Sequence, residues 1–89
     1  MELRRTLRIV NDQGMHARPC HAFVTTALGY KSELEVSLRG RRVNGKSILE
    51  LMTLGAAFGD ELEVCARGAD AQAVVDALVA LVGRGFGEA

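Results

Sequence analysis

No sign of charge dominates this sequence: eleven Lys and Arg residues against eleven Asp and Glu leave a formal net charge of zero. That balance lacks the basic footprint of a nucleic-acid binder, so no nucleic-acid partner is expected. No apolar run is long enough to span a bilayer, and no apolar signal region follows Met1-Glu2-Leu3-Arg4-Arg5. A cytoplasmic protein without membrane insertion is therefore expected. Two cysteines, Cys20 and Cys65, are too few and too far apart for a secreted disulfide framework. Eighty-nine residues leave no room for a second lobe or a large enclosed cofactor pocket. The expectation is one domain over residues 1–89, with no cofactor and an ordinary soluble composition of 48% hydrophobic and 25% charged residues.

Proline occurs once, and its position is informative. Pro19 closes the stretch Gly14-Met15-His16-Ala17-Arg18-Pro19 and is followed by Cys20, Phe23, Val24, Ala27 and Leu28 at helical spacing. The first turn of a helix tolerates proline, because its N–H has no intrahelical partner there. Gly14 lets the incoming chain turn sharply. His16 is thus expected at a helix start, close to the N-cap. The N–H groups of Ala17 and Arg18 would face an anion of phosphate size, aided by the helix dipole. The same positive field disfavours imidazolium. A histidine beside an anion cradle and Arg18 can carry a phosphoryl group. Taken alone, the stretch fits equally well a solvated surface histidine at a helix start.

Along the chain, Leu3, Leu7 and Ile9 share one face of a strand, with Glu2, Arg4, Thr6 and Arg8 on the other and Arg5 interrupting the apolar phase. Asn11 to Gly14 is loop by composition. The first helix runs from near His16 to about Leu28, with Gly29 at its end. Leu34, Val36 and Leu38 alternate with polar residues. Arg39-Gly40 predicts a tight turn into a short strand over Arg41 to Val43. A helix over Ser47 to Leu54 ends at Gly55, and Leu62, Val64 and Ala66 mark another strand that turns Cys65 to the opposite face. Asp70 is placed to cap a last helix with the stripe Ala71, Val74, Val75, Leu78, Leu81 and Val82, stopped by Gly83. The order is β-α-β-β-α-β-α. Three of the four strands have one apolar and one charged face, which is antiparallel behaviour. The fold class is therefore a two-layer α/β (α+β) open-faced sandwich, with helices covering one face of a four-stranded sheet.

Gly40-Arg41-Arg42-Val43-Asn44-Gly45-Lys46-Ser47 matches the P-loop pattern letter for letter. It lacks the buried parallel strand and long helix of a nucleotide site, so it is read as a coincidence across a hairpin and a helix cap. Ser47-Ile48-Leu49-Glu50 reads as a capping box, with Ser47 accepting from Glu50 N–H and the Glu50 side chain returning to Ser47 N–H. Ile48, Leu49, Leu51, Met52 and Leu54 leave that short helix almost no polar face. Leu51 and Leu54 are expected in the core. Ile48, Leu49 and Met52 are expected as an exposed apolar patch facing a partner. His21, on the polar side of the first helix with Arg18 and Thr25, is either solvated or part of that interface. His16 and Cys20 stand four apart, but no further ligand has suitable spacing, so no metal is expected. No acidic pair or Ser-His-Asp arrangement points to a hydrolase.

These two motifs, at this separation, resemble the HPr family of the bacterial phosphotransferase system over nearly the whole chain. Gly14 to Pro19 is similar to the family's active-site motif. Asn44-Gly45-Lys46-Ser47-Ile48-Leu49 through Met52-Thr53-Leu54-Gly55 is similar to its regulatory-serine helix. The resemblance implies a four-stranded antiparallel sheet with three helices on one face. It implies a phosphoryl carrier without enzymatic turnover. His16 would take a phosphoryl group on Nδ1 from enzyme I, itself charged by phosphoenolpyruvate, and pass it to an EIIA domain in sugar uptake. Arg18 and the backbone N–H groups would steady the phosphate. Ser47 would be the site of regulatory phosphorylation, with an HPr serine kinase/phosphorylase as a further partner and the carrier itself a monomer. Cys20 and His21 stand where the family usually has small residues, and Glu50 replaces a common lysine or glycine. The segment Gly83-Arg84-Gly85-Phe86-Gly87-Glu88 is similar to the nitrogen-regulatory paralogue. A phosphorylation-dependent regulatory binding module is therefore the alternative expectation.

Overall fold

In the computed structural model, which describes residues 1–88, the strands are β1 (Glu2–Arg8), β2 (Glu33–Leu38), β3 (Arg41–Asn44) and β4 (Glu61–Arg67). The helices are α1 (Ala17–Leu28), α2 (Ile48–Thr53) and α3 (Ala71–Gly83), and a short left-handed turn follows over Gly85–Gly87. The expected element order is the observed one. The sheet runs β1-β4-β2-β3 and every pairing is antiparallel. Only β2 and β3 are joined by a hairpin. Its two turn residues, Arg39 (φ 51°) and Gly40 (φ 82°), both lie in the left-handed region that a two-residue hairpin requires.

Period-2 alternation sorts the side chains. Leu7, Leu34, Val36, Leu38, Val43, Leu62, Val64 and Ala66 join one buried cluster with Phe23, Val24 and Ala27 of α1, Leu51 of α2 and the α3 stripe. All six expected stripe residues of α3 are buried. A fully buried side chain of this size contributes roughly 1.5–3 kcal/mol, so this layer supplies the main driving force. The other face of the sheet carries Arg4, Thr6, Glu35, Ser37, Arg42 and Glu63, which border a shallow groove. Cys65 lies on that open face, as its strand phase requires. It is nonetheless buried, because its cross-strand neighbours Arg4 and Glu35 flank it. The sheet separates it from Cys20 in the helix-side core, and both thiols are free.

Three expected local contacts form differently. The Asp70 side chain does not cap α3. Its carboxylate accepts instead from Lys31 N–H at 2.7 Å, from Ser32 N–H at 2.9 Å and from the Ser32 hydroxyl. Three donors arriving at the start of β2 outweigh one helix N–H. The capping box of α2 is half formed: Glu50 N–H donates to Ser47 Oγ at 3.2 Å. The Glu50 carboxylate accepts from Asn44 N–H at 3.0 Å, because Ser47 N–H already donates to Asn44 O. Finally, α3 runs through Gly83. The left-handed residue that ends it is Gly85, φ 64°.

Candidate functional site

His16 is the N-cap of α1, with extended backbone (φ −81°, ψ −172°) and no side-chain capping bond. Its carbonyl accepts from Cys20 N–H at 3.0 Å, the first bond of the helix. Pro19 brings no N–H to the first turn. Those of Ala17 and Arg18 have no acceptor among the described residues. The imidazole therefore stands at the positive end of a twelve-residue helix, next to two unpaired donors. Its side chain is 43% exposed, open enough for a protein partner to reach.

The loop before His16 is pinned from two sides. Met15 N–H donates to Ala56 O at 2.8 Å, joining it to the segment after α2. Asn11 Nδ2 donates to Gly14 O at 2.8 Å. Below the loop, Cys20 Sγ–H donates to Met15 O at 3.3 Å, and burial pushes the Cys20 thiol up. Cys20 thus packs the helix start from inside, which accounts for it without a ligand role. Among the described residues, no group of three or more His, Cys, Asp and Glu side chains is placed to hold a metal ion.

Arg18 is exposed and takes part in none of the ion pairs among the described residues. His21 is exposed further along α1. α2 packs against α1. Leu49 is 79% and Met52 41% exposed, while Leu51 is 1% exposed. Ile48, expected in the open patch, is half-buried and packs on the core, as Leu54 does. The apolar surface is thus centred on Leu49 and Met52. Ser47 caps α2 and is half-buried. The P-loop look-alike is dismembered as expected: Gly40 sits in the hairpin turn, Arg41 to Asn44 form β3, and Ser47 is the cap.

Two residues that the motifs did not mark complete the site. Glu88 Oε2 lies 3.1 Å from His16 Nε2, and Glu88 Oε1 accepts from Asn11 Nδ2 at 3.1 Å. The electrostatics of His16 therefore include a carboxylate as well as the positive helix end. The model of the family described as "PTS HPr component phosphorylation site" matches residues 3–84. The chain belongs to the HPr family. It is thereby a phosphocarrier and not a catalytic enzyme. It is 43% identical to the phosphocarrier protein HPr of Neisseria meningitidis serogroup A over 86 residues, which span 97% of each chain. The HPr of Cupriavidus necator is 37% identical, again over 97% of each. Among solved structures, HPr from Thermoanaerobacter tengcongensis superposes with a TM-score of 0.94 at 38% identity, over 98% of each chain. The open-faced sandwich is the HPr fold, so the layer that buries α1 also places His16 at its rim.

Proposed function

We infer that residues 1–89 act as a single phosphocarrier domain, in which His16 accepts a phosphoryl group from enzyme I and passes it to an EIIA domain in sugar uptake. The observation that carries this reading is the placement of His16. It is an exposed N-cap imidazole beside two first-turn N–H groups that lack acceptors among the described residues. In the transfer, the Nδ1 lone pair forms a bond to phosphorus while the bond from phosphorus to the donor breaks. The departing electron pair stays on the donor. Ala17 N–H and Arg18 N–H then face the phosphoryl oxygens, and the exposed Arg18 guanidinium adds a mobile cation. Transfer to EIIA runs the same steps toward a new acceptor.

The Leu49 and Met52 surface, with Ile48 at its edge and His21 across on α1, is the docking face in this reading. It suits both partners in turn, because α2 packs on α1 and the loop after α2 bonds to Met15. Ser47 is the regulatory position, open to a serine kinase/phosphorylase. The carrier works as a monomer in the cytoplasm. Among the described residues no helix is long and apolar enough to cross a membrane.

The Gly83–Glu88 segment favours a second reading, in which the partner is the EIIA of a nitrogen-regulatory cascade. A two-step relay separates the two. The protein is labelled through phosphoenolpyruvate and enzyme I, re-isolated, and mixed with a sugar-type or a nitrogen-type EIIA. Faster loss of label to the sugar-type domain supports the leading reading. Preferential loss to the nitrogen-type domain moves the protein to the regulatory branch.

A further inference from the structure

His16 is gripped from outside its own motif. Glu88 Oε2 lies 3.1 Å from His16 Nε2, while Glu88 Oε1 accepts from Asn11 Nδ2 at 3.1 Å. The same Asn11 nitrogen donates to Gly14 O at 2.8 Å. Asn11 is 4% exposed, and its Oδ1 has no partner among the described residues. A backbone carbonyl can only accept, so Gly14 O decides which end of the Asn11 amide faces Glu88. An ionised carboxylate can also only accept, so the proton between Glu88 and His16 comes from Nε2. In a neutral imidazole this leaves the lone pair on Nδ1.

The backbone after α3 is shaped to deliver this carboxylate. Gly85, Phe86 and Gly87 hold φ of 64°, 59° and 76° in succession. Phe86 sits in the left-handed region despite its side chain, which packs on the core. Gly85 lies beside Asn11, where a Cβ would meet the Asn11 Cβ at 3.7 Å, an ordinary packing distance, so its left-handed φ and not crowding favours glycine there. Phe86 alone carries left-handed strain, since glycine adopts positive φ freely; its packing on the core and the bond from Asn11 to Glu88 hold the turn in place.

We propose that Glu88, held by Asn11, is a positioning residue that keeps His16 in its Nε2–H tautomer and so presents Nδ1 as the nucleophile. This rests on His16 being the phosphoryl acceptor. As the N–P bond forms at Nδ1 and the donor departs with its electron pair, the proton on Nε2 stays in place. The ring gains positive charge, which the Glu88 carboxylate faces directly. Because the carboxylate sits on Nε2, Nδ1 has no protein partner among the described residues.

Two variants test this by ring ¹⁵N chemical shifts of His16 in its neutral form, with His21 as the internal reference. The wild type shows the Nε2–H tautomer. Glu88→Ala gives a mixture. Glu88→Gln does more: the Asn11 donor takes the new amide oxygen, so the amide NH₂ faces Nε2 and moves the proton to Nδ1. Phosphorylation by enzyme I follows the same ranking, with Glu88→Gln about tenfold below wild type, the factor that a hydrogen bond to a charged group carries. An Nδ1–H tautomer in the wild type overturns the proposal. So does a Glu88→Gln spectrum unchanged from wild type, or a shifted tautomer with an unchanged rate. If enzyme I fails to label even the wild type, the acceptor reading of His16 fails, and the ring spectra alone judge the grip of Glu88.

Discussion

Met15 N–H donates to Ala56 O at 2.8 Å, and that bond ties the loop before His16 to the loop after α2. Gly14 makes the approach possible. Its φ is +66°, and a Cβ there would lie 2.6 Å from Ala56 O and 2.8 Å from Ala57 Cα. Both obstacles are backbone, so neither yields easily. Gly14→Ala is therefore expected to destabilise the protein by about 2–4 kcal/mol, from left-handed strain plus displaced backbone. It should also slow labelling of His16. Urea unfolding measures the first effect, and a variant as stable as wild type would refute the close approach.

Asp70 gives a pH signature. The hydrogen bond from the Ser32 hydroxyl, followed by that from Lys31 N–H, holds its carboxyl below the usual carboxylate range. A depressed carboxyl contributes stability that is present above the unfolded value of about 3.9 and is lost as pH falls through the lower folded value. Asp70→Asn is expected to melt below wild type at neutral pH. The gap should narrow as pH drops below about 4. Thermal midpoints across that range decide it; a gap that widens in acid has the wrong sign.

Strand phases, the α3 stripe and the cap position of His16 were legible because each is written locally. Alternation sets the faces of β2 and β4, and Gly14 and Pro19 punctuate the start of α1. The features that escaped are tertiary. Glu88 stands 72 positions from His16, and no spacing rule connects them. Asn11 reads as loop composition until Gly14 O and Glu88 converge on its amide. Asp70 carries a good capping signal, but folding brings it three donors from the start of β2. Glu50 similarly finds Asn44 N–H in place of Ser47 N–H. Gly83 and Gly85 both read as helix stops, and the backbone turns left-handed only at Gly85.

Leu49→Asp is expected to leave the fold intact while weakening the complexes with enzyme I and EIIA by tenfold or more, since a charge buried unpaired in an apolar contact costs about 1.4 kcal/mol or more. Leu51→Asp, at a residue 1% exposed, should unfold the domain instead. Titration calorimetry and circular dichroism on both variants separate surface from core. If Leu49→Asp unfolds as Leu51→Asp does, the docking face is misplaced.

Ser47→Asp keeps an N-cap acceptor for Glu50 N–H. It should therefore stay folded, yet place charge next to the Leu49 and Met52 surface and slow phosphorylation of His16. A phosphate, at roughly −2 charge, should slow it further. A normal rate with an unchanged thermal midpoint would remove the regulatory role. A large fall in midpoint would mean that capping dominates this position.

The most direct test labels the protein with phosphoenolpyruvate and enzyme I, comparing wild type, His16→Ala and His21→Ala. The account predicts one phosphoryl group on wild type and on His21→Ala, stable in alkali and lost in acid, and none on a folded His16→Ala. Labelling of His16→Ala at the wild-type rate would contradict it.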